Sequence, residues 1–90
     1  MPTTYGDVIA AQYAYAIEEP LAAAEVLSDA VDYAADEHGI MGKEAESRFM
    51  AALDYDFLSS GQPFDAVQKS VLVALQVRLE DQGRLPQSDA

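Results

Sequence analysis

Ninety residues with sixteen acids against five bases give a formal net charge of −11, and half of the chain is apolar. That length allows one domain with one modest core, and the absence of Cys excludes a disulfide framework and thiolate chemistry. The apolar content is too high for a disordered acidic tail, and the negative charge repels phosphate backbones, which excludes direct nucleic-acid binding through a basic groove.

Four helices are expected, over residues 5–18, 20–37, 43–59 and 63–82. Thr4 followed by Asp7 has the shape of a capping box and starts the first. Tyr5, Ile9, Tyr13 and Ala16 share one face of it, whereas Tyr15 points away and needs a cover. Pro20 suits the first position of the second helix, because its missing N–H has no partner there. Ala23, Leu27, Ala30, Val31 and Ala34 form the apolar side of that helix, which ends near Gly39. The third helix has Gly42 as its cap, Glu44 placed to pair with Arg48, and Phe49, Met50, Leu53 and Phe57 on its apolar face. The fourth starts at Pro63, carries Asp65 in its first turn and ends near Gln82.

The stretch Val71–Leu79 also alternates as a strand would. The helical reading is preferred, because a lone strand leaves its backbone unpaired. As a helix it is apolar almost all round and must be central or covered by a partner. The expected fold is therefore an all-α, four-helix bundle-like domain over 1–84 with a frayed tail at 85–90. A pair of long helices that dimerises into a bundle is the alternative.

Chemistry is sparse. The sole His, His38, sits where it can cap carbonyls at the end of the second helix. Asp56 beside Phe49 and Leu53 is a boundary carboxylate, whose pKa would rise if it were buried. Neither has an evident nucleophile or second acid beside it. Asp54-Tyr55-Asp56 lacks the glycine and closing Glu of a calcium loop, and no phosphate-binding glycine loop is present. No enzyme activity, metal or cofactor is expected. No secretory signal is expected, since the first residues carry no basic region, and no membrane helix is expected, since no run comes near the ~20 apolar residues of a spanning helix and no helix has a basic polar face. A cytoplasmic protein without a membrane partner is expected.

The informative feature is where the charge lies. Residues 1–42 contain eight acids and no base; residues 43–90 contain eight acids and all five bases. Glu25, Asp29, Asp32 and Asp36 follow 4-3-4 spacing and fall within an arc of about 60° on the second helix. Glu18, Glu19 and Glu37 extend this stripe at its ends. A row of carboxylates on a rigid helix is spaced much as phosphates are along a strand. It reads either as an ordinary solvated face or as a binding face for a basic protein surface. The sharpest form is a non-enzymatic, nucleic-acid-mimicking inhibitor that blocks the groove of a nuclease or DNA-binding protein. Phage inhibitors of restriction and CRISPR nucleases offer an analogy of size and charge alone. The alternative is a structural adaptor or assembly subunit whose acidity only solubilises. It would be a homodimer through the fourth helix, with Tyr15, Leu72, Val73, Val77 and Leu79 as contacts, because Tyr15, Leu58 and part of the Leu72–Val73–Val77–Leu79 surface do not fit one four-helix core together.

Overall fold

Local capping chemistry starts three of the helices. Thr4 Oγ1 accepts from the Asp7 N–H while the Asp7 carboxylate accepts from the Thr4 N–H, which completes the expected box. The computed structural model describes residues 4–85. Among these every regular element is helical: α1 (Tyr5–Glu18), α2 (Pro20–His38), α3 (Gly42–Ala52), α4 (Tyr55–Ser60) and α5 (Ala66–Asp81). The all-α class stands, and the stretch that alternates like a strand lies within α5. The first two helices keep their expected bounds to within a residue. Gly39, in the left-handed conformation at φ 65°, ends α2.

The third expected helix, 43–59, is two helices. Asp54 adopts an extended backbone and its carboxylate accepts from the Asp56 N–H at 2.9 Å, so a new helix begins there. The Phe49, Leu53, Phe57 spacing runs across this break as though the helix continued. Phe57 instead packs on Phe64 in the following linker, with ring centroids 5.6 Å apart, and Phe64 meets Tyr5 of α1 edge-on at 5.8 Å. Asp56 is exposed in the first turn of α4, not at the edge of a longer helix. Met41, not Gly42, caps α3.

The last helix begins at Ala66, not Pro63. Asp65 is its cap, in a reciprocal box with Gln68: each side chain accepts from the other residue's N–H at 2.7 Å. Leu85 is buried against the core, so the expected frayed tail does not start there; residues 86–90 lie outside the described residues.

α2 is the central element and packs against α1, α3 and α5. Its inward face is Ala23, Val26, Ala30, Val31, Ala34 and Ala35; Leu27 is only half-buried. The small side chains let α5 approach closely, and α5 fills the centre with Val71, Leu72, Leu75 and Leu79. Phe49 enters from α3 and Val8 from α1. Two buried amides stitch the helices: Gln12 donates to the Ala23 carbonyl at 3.2 Å, and Gln68 to the Arg48 carbonyl at 3.0 Å.

Candidate functional site

Burying the alanine face of α2 forces its other side outward. Glu25, Asp29, Asp32 and Asp36 are all exposed there. They span about 16 Å along the axis. None makes an ion pair or a side-chain hydrogen bond among the described residues. The placement also runs against the helix dipole. The first turn of α2 has no acid, whereas Asp36 and Glu37 occupy its negative C-terminal end.

Bases flank the stripe in space although none does so in sequence. Lys43 at the start of α3 shares a cleft of about 350 Å³ with Ser28, Asp32 and Glu46. Lys69 of α5 lines a cleft of about 220 Å³ with Tyr33 and Glu37. Among the described residues neither lysine comes within the 4.0 Å of an ion pair.

The expected extension at the other end is different. Glu18 and Glu19 sit at the α1–α2 corner, and Arg84 binds both. One guanidinium nitrogen pairs with Glu18, and the other donates to Glu19 at 2.8 Å. The same guanidinium lies 3.9 Å from the centroid of the Tyr15 ring, and the Tyr15 hydroxyl is 3.5 Å from Gln82 Oε1. Tyr15 is thereby 3% exposed. Tyr15 in fact lies on the inward face of α1 with Val8 and Gln12, and Gln82 and Arg84, just after α5, close over its ring. The face expected from Tyr5, Ile9, Tyr13 and Ala16 is rotated: Tyr13 and Ala16 are exposed. The hydrogen bond to Glu18 is the largest influence on Arg84 and, with the surrounding negative charge, raises its pKa against an opposing desolvation. The two carboxylates at this corner are therefore already engaged, unlike those of the stripe.

Of the residues expected to contact a second copy, Tyr15, Leu72 and Leu79 are buried in the chain's own core and are corrected on that ground. Val73 and Val77 remain, 50% and 51% exposed. Tyr33 of α2, 54% exposed, stands beside them and was not anticipated; its position next to Asp32 obscures it in the sequence. Arg84 was likewise missed, since nothing local links it to Tyr15 or Glu18.

His38 does not reach back to carbonyls. Its Nε2 lies 2.7 Å from Ser70 Oγ, which ties the end of α2 to α5. The pair was not legible in the sequence. Among the described residues no carboxylate orients the other ring nitrogen, and Ser70 sits mid-helix where its neighbours' N–H groups are spent on the helix itself. No group of three or more His, Cys, Asp or Glu among the described residues could hold a metal ion. No described helix is long and apolar enough to cross a membrane. Comparison with protein-family models, curated proteins and solved structures returned no match.

Proposed function

We propose that this protein is a non-enzymatic interaction module that uses the acidic face of α2 to occupy a basic groove on a nucleic-acid-binding protein. The observation that supports this reading is the set of four exposed, unpartnered carboxylates on consecutive turns of one helix. Like charges at i,i+4 repel, and acids at the C-terminal end of a helix oppose its dipole. A chain that retains both disadvantages on one surface breaks a local rule, which is where binding function concentrates. In its sharpest form the module mimics nucleic acid and inhibits a nuclease or DNA-binding protein. The carboxylates then take the place of backbone phosphates, and counterions released from the groove assist binding.

The test uses the full chain immobilised against lysate from its source organism. Retained proteins are eluted by salt in one arm and by a DNA duplex in another. The reading expects basic nucleic-acid-binding proteins that the duplex competes away, and their loss with Asp29→Lys/Asp32→Lys. Retention that ignores the double reversal, or that DNA does not displace, overturns it.

A further inference from the structure

We propose that the exposed face of α5 docks a second copy of this chain, antiparallel and about a two-fold axis passing between Val73 and Val77. Lys69, Val73, Val77 and Asp81 are all exposed and are four residues apart, so they form one inclined row on the helix. The row reads positive, apolar, apolar, negative. Turned against itself, it sets Val73 of one copy on Val77 of the other, and Lys69 of one copy opposite Asp81 of the other. Each contact occurs twice, as an isologous interface requires. Rows of this i±4 kind on two helices run alongside each other when the helices cross at about −50°.

The surroundings fit that occupant. Tyr33 adjoins both valines and, with Val73, lines two neighbouring clefts of about 220 and 230 Å³. The Arg78 guanidinium lies 5.9 Å from the centroid of its ring. Aromatic and Arg side chains beside a small apolar centre are the composition of an interface core. Two copies each carrying −11 repel, so self-association needs a face where the charge is locally near balance. This face comes near one: it holds Lys69 and Arg78, two of the five bases, against Glu37, Glu80 and Asp81. Exposed valines are also poorer helix formers than Lys, Glu or Gln, so a face that only met water gains nothing from them. The inference does not rest on the function proposed for the acidic stripe.

Sedimentation equilibrium of the full chain, from micromolar to millimolar protein, tests it. The wild type is expected to show a reversible monomer–dimer equilibrium, and Val73→Asp/Val77→Asp is expected to remain monomeric throughout. Lys69→Asp alone or Asp81→Lys alone faces like charges in both symmetric pairs and weakens the dimer about tenfold. The swap Lys69→Asp/Asp81→Lys restores it, because each charge again meets its opposite. All four positions are exposed, and circular dichroism checks that each variant stays helical. A wild type that is monomeric at millimolar concentration overturns the proposal and leaves the face to a different protein. A dimer that survives Val73→Asp/Val77→Asp, or a swap no better than either single change, also overturns it.

Discussion

The α1–α2 corner and the outer face of α2 are both acidic, yet their carboxylates are in opposite situations. At the corner, Glu18 and Glu19 share Arg84, whose guanidinium also covers Tyr15. On the face, Glu25, Asp29, Asp32 and Asp36 have no ionic partner among the described residues. In sequence the two sets look alike, since no base precedes Lys43. The fold separates them by bringing Arg84, just after α5, to one and not to the other. A carboxylate held by its own protein contributes to folding, and only one left without a partner is available at full strength to a ligand.

The sharpest way to break the corner is to remove what lies under it. Tyr15→Ala deletes a buried aromatic ring and the platform on which Arg84 rests. It is expected to lower the unfolding free energy by about 3–5 kcal/mol, read from urea denaturation. The stripe offers the opposite case. Asp29→Lys/Asp32→Lys should leave the urea midpoint at or above that of the wild type while weakening partner binding about a hundredfold or more. Glu18→Gln/Glu19→Gln should leave binding within about threefold, because those charges are already paired. Equal losses from the two double variants would show that the corner and the stripe act as one surface.

Arg84→Ala comes next. It removes two exposed ion pairs and the stacking on Tyr15, and lowers the urea midpoint by less than Tyr15→Ala does. Arg84→Lys recovers only part of the loss, since an ammonium cannot fork between two carboxylates while lying flat on a ring. A full recovery would mean that point charge alone holds the corner.

How far these regions could be read beforehand follows from the range of the forces involved. The bounds of α1 and α2 were legible because Thr4, Asp7 and Pro20 act within one turn of the helix starts, whereas the inward face of α1 was not, since the polar Gln12 and the Tyr15 ring take places there that the apolar spacing gave to Tyr13 and Ala16. The stripe was legible because it depends only on the angle per residue along one helix. The break at Asp54 was hidden by an apolar spacing that continues across it, and the start of α5 by a proline two residues before the working cap. The Asp65–Gln68 box was present in the sequence and outranks Pro63 as a start signal. The Arg84 clamp and the His38–Ser70 tie were not legible at all, since each joins distant parts of the chain through tertiary packing. The same limit applies to α5: an apolar pattern on all sides did not distinguish Leu72 and Leu79, which go inside, from Val73 and Val77, which do not.

The smallest effect gives the cleanest contrast, because its sign differs between the two regions. Asp36 lies four residues from Asp32 and near the negative end of the α2 dipole. Asp36→Asn relieves both repulsions and is expected to raise stability by about 0.5 kcal/mol at low salt. The gain should shrink as salt screens the charges, since the Debye length falls to about 3 Å at 1 M. Glu18→Gln/Glu19→Gln removes attractions instead and is expected to lower stability, with a loss that also shrinks with salt. Urea denaturation of both variants at low and high ionic strength therefore yields two differences of opposite sign that converge toward zero. If Asp36→Asn destabilises the chain at low salt, the carboxylate has a partner within the protein, and the unpaired stripe loses a member.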